Sequence, residues 1–268
     1  EYAYSYSLLG WSYTLSGDYE KAQNILEEAL EIKEKELGKD HPDLEHYLRY
    51  LALNNRRKGE FDIAIEIYLR GLKNSKDFYG ENDINLVSYY EDLGWTYGFQ
   101  GYLLKSEEMY RKAISIQKEL LGEDHTKTIY NLRNLADIYL KQFKYDEAEE
   151  IYIKSLKVYE KINDKFHQAG IYGNLASVYS DQGRYKKAIE STLKQKKIHE
   201  EIFGTNSITY PTILLRLATL YFDLGDYKNA YEFLKKGNQL LKKETKYDFK
   251  EDEKKIQKNI DLYKKIKK

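Results

Sequence analysis

Three arginines, Arg49, Arg56 and Arg57, and two tryptophans, Trp11 and Trp95, are the side chains best suited to chemistry in this 268-residue chain. A guanidinium holds a carboxylate through paired, charge-assisted hydrogen bonds. Tryptophan and arginine are also the types on which binding energy concentrates, about 2 kcal/mol or more for a buried anchor. That chemistry is recognition. The ingredients of catalysis are scattered by contrast. The five histidines are His41, His46, His125, His167 and His199, and none belongs to a His-Glu-x-x-His run. Acidic groups such as Glu147, Glu149 and Glu150, or Glu251, Asp252 and Glu253, have the composition of solvated helix faces. No Gly-x-x-x-x-Gly-Lys-Ser/Thr loop is present to cradle a phosphate. The chain has no cysteine, which excludes disulfides, thiolate metal sites and cysteine nucleophiles. The reading is of a protein that is not an enzyme, with no cofactor, no metal and no evident small-molecule substrate.

Composition narrows the partner. Lys+Arg and Asp+Glu are both 44, so the formal net charge is zero and gives no global pull toward nucleic acid. No uncharged apolar run approaches the ~20 residues of a membrane span. Charged residues make up 33% of the chain, a solvated surface, and a cytoplasmic (intracellular) setting is the expectation. Only Pro42 and Pro211 interrupt the chain, which suits helices. The first residue is Glu1, so a piece of a longer protein or a processed chain is expected.

The elements that position these residues repeat. Gly17, Gly59 and Gly101 fall 42 residues apart; the next step lands on Phe143, and Gly183 and Gly225 complete the series. Seven residues before each anchor stands a small residue preceded by leucine: Leu9-Gly10, Leu51-Ala52, Leu93-Gly94, Leu135-Ala136, Leu175-Ala176, Leu217-Ala218. Five residues after each anchor comes Ala22, Ala64, Ser106, Ala148, Ala188 or Ala230. Tyrosine recurs before the anchor and an aromatic after it, which accounts for much of the excess of 28 tyrosines. Each unit reads as two helices joined at a left-handed glycine, the small columns letting the two axes approach closely. Loops such as Leu37-Gly38-Lys39-Asp40-His41-Pro42-Asp43 end the second helix, and Asp43, Asp83 or Thr126 is expected to cap the next. One such hairpin cannot bury its own apolar face, so the units must stack.

The leucine-small pair, the tyrosine, the glycine, the aromatic, the alanine and the Leu37 to Asp43 loop together resemble the tetratricopeptide repeat, in the 42-residue variety of the kinesin light chain. The resemblance implies an all-α, right-handed α-solenoid of six helix hairpins, at about 1–42, 43–84, 85–126, 127–166, 167–208 and 209–243. Residues 244–268 depart from the repeat and are expected to form a charged C-terminal capping helix. From Lys242 onward there are eleven lysines against six acidic residues. A nucleic-acid or membrane arm is the alternative for this end, and the interspersed acids argue against it.

The resemblance also implies that the first helix of each hairpin lines a concave groove. Rotation at 3.6 residues per turn then turns residues 4, 7, 8, 11, 14 and 15, and their equivalents, into that groove. The candidate partner-binding residues are Trp11 in the first unit, Arg49, Tyr50, Arg56 and Arg57 in the second, and Glu91, Asp92 and Trp95 in the third. Arg133, Asn134, Asp137 and Lys141 follow in the fourth, Asn174 and Asp181 in the fifth, and Arg216 in the sixth. Asn134 and Asn174, each followed by Leu-Ala, resemble the family's Asn-Leu-Ala, whose asparagine bonds a peptide backbone; Leu8, Tyr50, Asp92 and Arg216 stand there in the other units. These long charged side chains have a second reading, in which they pair with one another across neighbouring first helices. The expected function is a protein-interaction scaffold holding a peptide or partner segment that carries an acidic residue beside an apolar one. The alternative is a regulatory or sensor module of a larger signalling protein whose effector domain lies elsewhere.

Overall fold

The computed structural model describes residues 2–244, so the capping helix expected over 244–268 lies outside them but for its first residue. The chain divides into two compact units, residues 1–143 and 144–268. Unit 1 holds α1 (Tyr2–Ser16), α2 (Tyr19–Leu37), α3 (Glu45–Lys58), α4 (Phe61–Tyr79), α5 (Val87–Phe99), α6 (Leu103–Leu121) and α7 (Thr126–Lys141). Unit 2 holds α8 (Tyr145–Lys161), α9 (Lys165–Asp181), α10 (Tyr185–Phe203), α11 (Tyr210–Leu224) and α12 (Tyr227–Glu244). Two short 3₁₀ turns, Pro42–Leu44 and Ile84–Leu86, lead into α3 and α5. Among the described residues there is no strand.

Within unit 1, α1 packs on α2, α3 on α4 and α5 on α6 as hairpins; each second helix then packs on the first helix that follows it. Unit 2 repeats the rule, with α9 on α10, α10 on α11 and α11 on α12. The small columns are where the axes meet. A Cβ added to Gly10 would stand 2.6 Å from Leu26 Cγ, so nothing larger fits between α1 and α2. Ala22, Ala52 and Ala64 are wholly buried. Ser106, the one departure from alanine in its column, donates its hydroxyl to the Gly94 carbonyl at 2.6 Å and so satisfies itself inside the α5–α6 contact.

The turn glycines have positive φ, as at Gly59 (95°), a conformation glycine reaches without a Cβ penalty. The next residue's N–H reaches back five residues to the first helix, as from Glu60 to the Asn55 carbonyl at 2.8 Å. Phe143 occupies the lost glycine position and keeps its geometry, with φ of 61°. The repeat therefore imposes a left-handed turn even on a residue that pays about 1–2 kcal/mol for it.

The caps differ from expectation at two of three loops. Asp83 does accept from the Asn85 N–H, at 2.8 Å. At the other two, His41 Nδ1 accepts from Asp43 N and His125 Nδ1 from Lys127 N, both at 3.2 Å. Asp43 and Thr126 lie inside the turns they were expected to cap, because the cap falls two residues earlier at the first and one residue earlier at the second, with Pro42 supplying its fixed φ at the first. Two of the five histidines are thus helix caps.

Candidate partner-binding face

The first helices of unit 1 present two kinds of column. Positions 7 and 14 of α1, Ser7 and Thr14, are fully buried. Their equivalents Arg49, Arg56, Glu91 and Arg133 are half-buried and turn toward the adjacent first helix. Positions 4, 8, 11 and 15 and their equivalents stand further out: Tyr4, Leu8, Leu15, Arg57, Trp95, Phe99, Tyr130 and Lys141 are exposed, while Trp11, Tyr50, Asp92, Asn134 and Asp137 are half-buried.

The half-buried column is a charge network between helices. Arg49 Nε donates to Asp92 Oδ2 at 3.1 Å, and Arg56 Nη1 to Asp92 Oδ1 at 3.3 Å. One α5 carboxylate therefore serves two α3 guanidiniums. Arg49 Nη1 also lies 3.7 Å from Glu45 Oε1. Glu91 accepts from Asn131 Nδ2 at 2.6 Å and from Gln117 Nε2 at 3.5 Å. Burial raises the Glu91 carboxyl above the ordinary carboxylate range, and the Asn131 hydrogen bond opposes that rise. Arg133 lies over the Tyr130 ring at 5.1 Å and donates to Asn134 Oδ1 at 3.3 Å. Lys141 Nζ reaches back to the Gly98 carbonyl of α5 at 3.2 Å.

The outer columns carry aromatic stacks, each tied to one of the two adjacent arginines of α3. Arg56 reaches forward over Trp95 at 4.3 Å, and Trp95 stacks on Phe99 with centroids 5.2 Å apart and planes within 11°. Arg57 reaches back over Trp11 at 5.7 Å, and Trp11 stacks on Tyr50 at 5.3 Å, again within 11°. Cation–π contact and stacking hold these broad apolar rings in place at the surface.

A tetratricopeptide repeat family model matches residues 1–77, 43–119, 100–161 and 167–243. The chain belongs to the tetratricopeptide repeat family. BtubC (BKLC) from P. vanneervenii superposes with a TM-score of 0.74 at 20% identity, over 86% of this chain and 93% of that one. The nearly identical TPR-like repeats of a Podosopora anserina protein described as a kinesin light chain superpose at 0.68 and 18%, over 77% and 99%. Aspartyl phosphate phosphatase F of Bacillus subtilis does so at 0.67 and 17%, over 83% and 56%. At such identities the likeness establishes the fold alone. No curated protein matches the sequence.

In this tetratricopeptide repeat protein the sequence-derived candidates fall into separate groups. Arg49, Arg56, Asp92 and Trp95 meet, as do Trp11, Tyr50 and Arg57. In unit 2, Asn174 is half-buried and Asp181 exposed on α9, while Arg216 Nη1 of α11 donates to the Gly173 carbonyl at 3.0 Å. Phe61, in the aromatic column that follows the turn, is half-buried and packs on Phe99 at 5.0 Å. Tyr102 and Leu104, at the start of α6, are 53% and 76% exposed and were not among the sequence-derived candidates. The signal was in the columns: Leu104 stands where the other units have Glu20, Asp62, Asp146, Lys186 and Lys228.

The fold is one that generally mediates contact between proteins, usually without catalysis of its own. Among the described residues no three His, Asp or Glu side chains converge to hold a metal ion, and no helix is long and apolar enough to cross a membrane.

Proposed function

We infer that this is an intracellular interaction scaffold whose unit 1 first-helix face, α1, α3, α5 and α7, binds a segment of a protein partner. The observation that supports it is the pair of surface stacks, with Trp95 46% and Phe99 61% exposed although stacked on each other and steadied by Arg56. Large aromatic rings left at the surface and held in one orientation are the anchors of protein interfaces. The partner brings apolar side chains to the Trp95–Phe99 and Trp11–Tyr50 stacks and a carboxylate to the arginines of α3. Of these, Arg49 and Arg56 already hold Asp92, so they shape the face, and Arg57 is the one that meets the partner. Affinity capture from source cells tests the reading with a double Trp95→Ala, Phe99→Ala variant. Both side chains are largely exposed, so the variant keeps its fold and loses the partners the wild type recovers. Equal recovery at equal affinity sinks the reading.

A further inference from the structure

The adjacent arginines of α3 do the same thing in opposite directions, and one of the two arrangements lacks a piece. Arg56 covers Trp95 and is paired with Asp92. Arg57 covers Trp11, is exposed, and among the described residues has no carboxylate within pairing distance. The column that supplies Asp92 in the third unit holds Leu8 in the first and Tyr50 in the second. The chain completes one arginine–tryptophan–carboxylate trio and leaves the other open.

Arg57 also belongs to an alternating row. Two residues before each turn position of unit 1 stand Leu15, Arg57, Phe99 and Lys141 in succession: apolar, cationic, apolar, cationic. All four are exposed. Stacking does not dictate this alternation, because the equivalent residues in unit 2 are Asp181 and Asp223. Three acids of the neighbouring helices and turns are engaged elsewhere. Asp92 is held by two arginines, Glu60 by Lys58 at 3.0 Å, and Asp62 accepts from Gln100 at 3.1 Å. Arg57 is thus left to an outside anion, and Lys141, which spends one N–H on the Gly98 carbonyl at 3.2 Å, has donors to spare for another.

Resting on the reading above, we propose that this row binds a partner segment in the polyproline II conformation, with apolar and acidic residues alternating every third position and an acidic side chain completing the Arg57–Trp11 site. The interval follows from geometry. Packed helices lie about 8–10 Å apart, and a polyproline II chain rises about 3.1 Å per residue with three residues per turn, so every third side chain lies on one face and advances one step from helix to helix. Apolar side chains then meet Leu15 and Phe99, and carboxylates meet Arg57 and Lys141. The pattern fits in either chain direction. At Arg57 the guanidinium keeps its face on Trp11 and offers its edge N–H groups to the carboxylate, as Arg56 does with Asp92.

The test uses fluorescence-labelled peptides and the full chain. The first probe is Leu-Gly-Ser-Glu-Gly-Ser-Leu-Gly-Ser-Glu; the second has the same composition with Leu and Glu alternating every second position; the third replaces both Glu of the first by Lys. The first should bind wild type about ten-fold or more tighter than the second, a difference of about 1.4 kcal/mol. Arg57→Glu with Lys141→Glu should lose the first peptide and gain the third. Both residues are exposed, so an unchanged circular dichroism spectrum is expected and checks the fold. Equal affinity for the first two peptides, no binding of the first, or indifference to the charge reversal would each overturn the proposal. Partner capture that still depends on Trp95 and Phe99 would then show that the face binds by another pattern.

Discussion

On the first helices of unit 1 the outward positions include Tyr4, Trp11, Tyr50, Arg57, Trp95 and Phe99, whereas α9 and α11 of unit 2 place Gly170, Asn174, Ser177, Asp181, Thr212, Arg216, Thr219 and Asp223 there. The buried columns show no such divergence. Leu51-Ala52 and Leu93-Gly94 correspond to Leu175-Ala176 and Leu217-Ala218, and Ala64 corresponds to Ala188; all are buried. Stacking constrains the second set in the same way along the chain and leaves the first set free. A set of positions that is rich in aromatic rings in one unit, and small or polar in the other, is answering to something other than its own packing.

The largest effects should come from the columns the two units share. Ala64→Leu in α4 and Ala188→Leu in α10 each force a larger side chain into a fully buried contact, costing about 1–3 kcal/mol. Urea unfolding should show a loss for both. An undisturbed variant in either unit would break the claim that the buried columns do the same work in each.

Next comes the network beneath the unit 1 face. Asp92→Ala strips the counter-charge from Arg49 and Arg56, whose side chains are 36% and 16% exposed, and should cost about 1–2 kcal/mol after allowing for solvent. Arg57→Ala, on the exposed side of the same helix, should stay within about 0.5 kcal/mol. Similar costs for the two would mean that Arg57 is a structural residue and not a surface one.

Of similar size at the glycine, and smaller at Phe143, is the exchange at the turns. Gly59→Ala puts a Cβ on a φ of 95° and should lose about 1–2 kcal/mol. Phe143→Gly relieves the same strain, offset by the added freedom of the unfolded chain, and should gain roughly 0.5 kcal/mol. Thermal melts of the pair should move in opposite directions; movement in the same direction would contradict the left-handed turn at Phe143.

The faintest signal is in pH, and it spans both units. Burial holds the His46 and His199 imidazoles below the ordinary value of 6.5. The folded chain keeps them neutral while the unfolded chain takes up protons as pH falls through that value, so their contribution is present above it and lost below. Stability should decline from about pH 7 toward pH 5, and His46→Gln with His199→Gln should flatten that decline. An unchanged slope in the double variant would remove the histidines from the account.

The fold was legible because its constraints recur. Six copies of a leucine-small pair and of a turn residue expose the buried contacts to simple inspection, and even Phe143 betrayed its turn by its position in the series. The face was legible only in part. Helical rotation brought both tryptophans and α3's arginines to one side, but it could not separate positions 7 and 14, which turn toward a neighbouring helix, from positions 11 and 15, which face out. That distinction depends on where the adjacent helix lies. Arg49 and Arg56, at positions 7 and 14 of α3, are found holding Asp92 of the neighbouring first helix. The two capping histidines were missed for a local reason, since imidazole Nδ1 as an acceptor is a less usual cap than Asp or Ser.

The central claim is that the partner contacts unit 1's first-helix face and not the equivalent face of unit 2. A photo-crosslinking amino acid placed at position 99 or at position 181 of the full chain, activated in the cells that make the protein, tests this most directly. Both positions are exposed and equivalent within the repeat. The account predicts a discrete adduct from position 99, lost when Trp11 and Trp95 are changed to alanine, and none from position 181. Equal adducts from the two positions, or an adduct from 181 alone, would contradict it.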